Sequence, residues 1–123
     1  MKYLIFLTIF LNSLFAESYS SGRTDVAPVN NQLYIKECGS CHFPYQPGLL
    51  PTNSWKKMMV NLDKHFGVDA TIAPEDFETL SKYLNDNSAE KNMQYKRSNR
   101  IVSSLLPGQE ADSISTTPYM VQK

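Results

Sequence analysis

At 123 residues, 41% hydrophobic and 20% charged, the chain has the length and composition of one small globular domain. Twelve basic and twelve acidic side chains give a formal net charge of +0, which excludes a polybasic nucleic-acid binder and a chain kept disordered by its own charge. Met1 and Lys2 make a short positive start, Leu4 to Phe15 is apolar except for Thr8, Asn12 and Ser13, and Ala16 is a small residue for cleavage. This pattern predicts an export leader over residues 1–16. Its apolar run is shorter than the roughly 20 residues that span a bilayer, so no stable membrane span is expected. Removing 16 of the 123 residues leaves 107 and takes Lys2 with it, so 11 basic side chains face 12 acidic ones. No Cys follows the leader to take lipid, and a soluble protein outside the cytoplasm is expected.

Asn31 to Glu37 reads as a short helix, and Cys38, Cys41 and His42 follow it as the only C-x-x-C-H of the chain. In an oxidising compartment two thiols are usually paired, yet a bridge across this spacing closes a loop too short to constrain the unfolded chain. A thioredoxin-like dithiol needs a strand before the motif and a helix starting at it, and no buried strand is visible here. A tetrahedral zinc site lacks the usual H-x3-5-H partner, and His42 is bonded directly to Cys41. Covalent attachment of c-type haem fits every residue of the motif. Two thiols three residues apart on a turn can reach the two vinyl groups along one haem edge, while the next side chain rises to the iron as its proximal imidazole. A porphyrin also supplies apolar bulk that so short a chain cannot bury by itself.

From Phe43 to Pro51, three prolines in nine residues forbid regular helix, and Phe43, Tyr45, Leu49 and Leu50 offer apolar surface to a haem edge. A backbone carbonyl of this loop is expected to accept from the second ring nitrogen of His42. The stretch from Asn53 to Gly67 predicts a helix capped by Asn53 or Ser54 and closed by Gly67. Taking Trp55 as 0°, Met58, Met59, Leu62 and Phe66 form one apolar stripe, with His65 at its margin near ~280°. His65 is therefore a candidate for the second axial position. A methionine, or an open sixth site, is the alternative, although Met58 and Met59 suit soft packing better, and Met93 and Met120 lie in weakly patterned polar sequence.

A further helix is expected from Pro74, with Glu75 and Asp76 in its first turn, a stripe of Phe77, Leu80 and Leu84 flanked by Tyr83, and an end within Asn85 to Ser88. Residues 97–106 read as an amphipathic helix stopped by Pro107 and Gly108, with Ile101, Val102, Leu105 and Leu106 grouped. These elements predict a mainly α, small single-domain, cytochrome c-like haem module with loop-rich connections. Its parts are a leader over 1–16, a flexible mature N-terminus over 17–30, a haem domain over 31–90, and a polar to amphipathic extension over 91–123, partly disordered.

The run from Cys38 to Pro51, then Ser54-Trp55, Leu62, His65 to Gly67, Asp69-Ala70 and Tyr83-Leu84, resembles the N-terminal half of the bacterial dihaem cytochrome c family of periplasmic electron-transfer proteins. By that resemblance Cys38 and Cys41 attach a haem, His42 is its proximal ligand, and His65 its distal one. The family continues into a second C-x-x-C-H. Here no Cys or His follows His65, so one covalently attached haem c is expected, with the apolar face of 97–106 left seeking a partner. The resemblance implies periplasmic, low-potential electron transfer without catalysis, and a redox partner that is an oxygen-binding haem protein or another cytochrome. Lys91, Lys96, Arg97 and Arg100 form a basic cluster that is either a solvated face or a dock for an acidic partner. Small-gas binding, with His65 dissociating, is the rival reading, and thiol-disulfide exchange a third.

Overall fold

The computed structural model describes residues 24–122, so the leader expected over 1–16 lies outside the described residues. Asn31 starts α1 (Gln32–Cys38) by accepting the Tyr34 amide on its side chain at 2.9 Å, and Gly39 closes it on the Ile35 carbonyl. The motif thiols thus begin at the carbonyl end of a helix. The proline-rich loop that follows tightens into one 3-10 turn, Pro47–Leu49, whose residues are all buried.

Helix α2 (Thr52–Val60) is shorter than its hydrophobic pattern predicts and is capped differently. Neither Asn53 nor Ser54 caps it. Glu90, far along the chain, accepts from the Thr52 amide through both carboxylate oxygens at 2.9 and 3.1 Å, which places a negative charge on the positive helix end. The early stop follows from Asn61, whose side-chain amide donates to the Lys57 carbonyl at 2.8 Å and so competes with the continuing helical ladder. A 3-10 turn, Leu62–Lys64, carries the chain to His65, and Val68 then donates back to the His65 carbonyl at 3.0 Å. This closes a tight turn with Phe66 at φ 50 and Gly67 at φ 84. Gly67 does take the left-handed conformation, but in this turn and not at a helix end.

Helix α3 (Pro74–Asp86) starts and ends where the sequence predicts, with Leu80 and Leu84 fully buried and Phe77 and Tyr83 half-buried. It packs on α2 to form the main core of Tyr34, Leu50, Trp55, Met59, Leu80, Leu84 and Ala111. Burial of each large aliphatic side chain there contributes about 1.5–3 kcal/mol.

Residues 91–122 are folded into the same body. Helix α4 (Lys96–Ser104) buries Ile101 against Leu49 and Ala89, and Val26, Val102, Leu105, Ile114 and Tyr119 pack around them. Ile101, Val102 and Leu105 of the apolar face expected over 97–106 therefore have their partner within this chain, whereas Leu106 lies beyond the helix and stays exposed. Ser98 donates to the Gly48 carbonyl at 2.7 Å, a close approach that only glycine permits, because a Cβ at 48 would stand 2.7 Å from the Ser98 hydroxyl and 3.1 Å from Val26. Asp25, within the 17–30 stretch, is tied down as well: the Arg97 amide donates to its carbonyl at 2.9 Å. A last short helix, α5 (Pro118–Val121), returns onto α4 through a Tyr119 amide to Ser104 hydroxyl bond. Among the described residues there is no strand, and no helix is long and apolar enough to cross a membrane.

Ile101→Ala should lower unfolding stability by about 2–4 kcal/mol in a denaturant titration, as a fully buried core position requires. A change below about 0.5 kcal/mol, the range of exposed positions, would place α4 outside the core.

Candidate haem site

A cavity of about 410 Å³ opens between α1, α2 and the 62–72 loop. Its walls are largely apolar, with Leu50, Trp55, Met58, Met59, Leu62, Ile72 and Leu84 among them, and its polar groups are few. Two of the wall aromatics are fixed by hydrogen bonds to the proline loop. Tyr34 donates its hydroxyl to the Tyr45 carbonyl at 2.6 Å, and Trp55 donates its indole N–H to the Pro47 carbonyl at 2.7 Å. Burial pushes the Tyr34 phenol above its ordinary range, so it stays a neutral donor.

Cys38 and Cys41, both free thiols, line the cavity, the first half-buried and the second exposed. Burial, then the Glu37 carboxylate, pushes the Cys38 thiol up to about 11. His42 has Nδ1 2.8 Å from the Phe43 carbonyl, which identifies the loop acceptor and, with Nδ1 as donor, leaves Nε2 with its lone pair free. Across the cavity stands His65. The two imidazole centroids are 6.1 Å apart and the rings lie 22° from parallel. Burial, then the proximity of His42, lowers the His65 pKa from its ordinary value, which favours the neutral, electron-donating ring.

All four residues singled out from sequence therefore border one cavity, although His65 arrives by a different route. Since α2 ends at Val60, the helical angle assigned to His65 does not describe its position; the turn at 65–68 does. Phe66 in that turn is a bulky residue with positive φ, a placement that costs about 1–3 kcal/mol. Met58 and Leu62 line the cavity, whereas Leu80 is packed into the core and does not. Met93 and Met120 do not line it either. Among the described residues, no three His, Cys, Asp or Glu side chains converge into a metal cluster.

Ser113 and Ile114 complete the wall, and sequence reasoning missed both. The only signal was a lone Ile in a Ser/Thr stretch without periodicity. The 110–114 segment is brought there by two fasteners on α2. The Ala111 amide donates to the buried Ser54 hydroxyl at 2.9 Å, and Lys57 bridges Asp112 at 2.7 Å and Glu110 at 2.9 Å. Those two carboxylates hold the Lys57 ammonium above the usual lysine range.

A helical module with two thiols at a porphyrin-compatible cavity and two imidazoles facing across it has the architecture of a small c-type cytochrome. Residues 34–123 match the family described as Dihaem cytochrome c, and the chain belongs to that family. It is similar to the solved structure of a diheme cytochrome c from Rhodobacter sphaeroides, at 30% identity over 76% of this chain and 72% of that one, with a TM-score of 0.68. A second structure, of DHC purified from Rhodobacter sphaeroides, matches at 27% identity over 78% and 71% of the two chains, with a TM-score of 0.62. No curated protein matches the chain in sequence. Membership in this family makes the chain a haem-dependent electron carrier and not an enzyme.

Ser54→Ala should cost about 1–3 kcal/mol, because it strands the buried Ala111 amide without an acceptor. Hydrogen exchange at Ala111 should accelerate together with the loss; unchanged protection there would mean that Ser54 does not fasten the segment.

Proposed function

We propose that this chain carries one haem c, bound through Cys38 and Cys41 and ligated by His42 and His65, as a low-potential electron carrier outside the cytoplasm. The separation of the two imidazoles is the observation that supports it. Two metal–imidazole bonds of about 2 Å, with each ring centroid about 1.1 Å behind its ligating nitrogen, put the centroids roughly 6 Å apart. The observed 6.1 Å leaves room for one metal atom between the rings. The apolar walls and the two thiols beside His42 suit a porphyrin in the same cavity.

Bound there, haem supplies a one-electron Fe(III)/Fe(II) couple. The protein's residues do the rest. The Phe43 carbonyl holds His42 in the tautomer that presents Nε2, Trp55 and Tyr34 stay put through their bonds to the proline loop, and the apolar walls keep water from the ring. Two histidine ligands place the potential at the low end of the cytochrome range.

Thiol-disulfide exchange gains no support here. Reactive C-x-x-C thiols are activated by a lowered pKa at a helix N-terminus, whereas Cys38 is the last residue of α1 and its pKa is raised. Electron exchange with an oxygen-binding haem protein or another cytochrome is part of the proposal. Lys91, Lys96 and Arg100 are exposed and suit an acidic face on that partner, while Arg97 is drawn toward Asp25 at 3.4 Å.

The mass and absorption spectrum of the exported protein should show one covalent haem with low-spin, six-coordinate iron. Carbon monoxide mixed with the reduced protein should change that spectrum only slowly, at the rate at which the distal ligand leaves, whereas immediate binding would favour a gas-binding protein. Cys38→Ala or Cys41→Ala should abolish stable accumulation of haem protein. His65→Met should retain the haem and raise its reduction potential, and an unshifted potential would assign the distal position to another group. The single tryptophan, Trp55, should show quenched emission in the haem protein.

A further inference from the structure

The two facing imidazoles are held in different ways. His42 is locked by its hydrogen bond to the Phe43 carbonyl, but no described carbonyl or side chain hydrogen-bonds to the His65 ring. The nearest aromatic ring to that of His65 is the ring of the next residue. Phe66 stands edge-on to it, with centroids 4.7 Å apart and planes at 70°.

Phe66 is an improbable occupant of its position on local grounds. It is the first central residue of a turn whose two central residues both have positive φ, where Asn followed by Gly is the unstrained pair. Burial in the core does not explain it, because the side chain is 67% exposed. Successive side chains of an extended backbone point to opposite sides, so a phenyl at 66 would ordinarily leave the imidazole at 65. The left-handed backbone instead folds it back against that imidazole, and both rings border the same cavity. Metal-ligating histidines ordinarily have a hydrogen-bonded group that orients the ring; His65 has none among the described residues, and the edge-on Phe66 ring is the aromatic neighbour that restricts its rotation.

Building on bis-histidine ligation, we infer that Phe66 is the positioning residue for His65: its ring fixes the orientation of the imidazole toward His42 and slows its departure.

The test compares Phe66→Asn and Phe66→Tyr in the haem-loaded full chain, with His65→Ala as reference. Asn relaxes the turn, so Phe66→Asn should keep or raise the thermal midpoint. In the same variant carbon monoxide should displace His65 from the reduced protein about tenfold faster or more, the size expected when a group orienting a metal ligand is lost. The ferric electron paramagnetic resonance signal, which reads the angle between the two imidazole planes, should broaden or shift. Phe66→Tyr retains the ring and should restore the wild-type rate and signal. An unchanged rate in Phe66→Asn overturns the assignment, as does a faster rate accompanied by a lowered midpoint, or a Phe66→Tyr protein that behaves like Phe66→Asn. His65→Ala separates the two readings. If it stays six-coordinate and low-spin, His65 ligation itself fails. If it opens the iron while Phe66→Asn leaves the rate unchanged, only the role of Phe66 fails.

Discussion

Two imidazoles from opposite sides of one cavity, 6.1 Å between centroids, form the constraint around which this small fold is arranged. His42 and His65 belong to segments that have little reason to meet: a turn after a helix C-terminus and a tight turn after another helix. Between them the chain must travel out along a proline-stiffened loop, through α2 and back. The hydrogen bonds that matter most are those that fix this excursion. Trp55 to Pro47, Tyr34 to Tyr45 and Ser98 to Gly48 all terminate on carbonyls of the loop, so an otherwise irregular segment becomes a rigid wall.

The first turns of α2 depend on the same logic. A helix with no local capping side chain is completed by Glu90, and its solvent side takes the 110–114 segment through Ser54 and Lys57. Residues remote in sequence thus supply the cap, the fasteners and part of the cavity wall. Ile114 belongs to both hydrophobic clusters, which links the α4 packing to the site. The exposed Lys57 ion pairs contribute little stability individually; their value is in register, since they hold Ser113 and Ile114 against the cavity.

In the turn at His65 the chain accepts local strain to place a ring. The His42 and His65 rings differ in what stands beside them, a hydrogen-bonded backbone carbonyl for one and an aromatic edge for the other, in a turn that would be easier to form without it. Such an arrangement leaves the His42 ring the more firmly held of the pair.

Sequence alone determined the features that are covalent or local. The C-x-x-C-H spacing is fixed by bonds, the α1 start by an Asn three residues from the amide it caps, and α3 by Pro74 and a regular stripe ending in polar residues. It also brought forward His65, but through a helical angle that the chain does not adopt, because Asn61 breaks α2 by a side-chain bond that periodicity cannot register. Tertiary structure alone decided the rest. The apolar face of α4 met Leu49 and Ala89, Glu90 replaced the expected cap, and Ile114 joined the wall. Each of these depends on contacts between residues many positions apart. Neither helical period nor local propensity carries information about which distant surface will be complementary, so they became visible only once the chain had closed on itself.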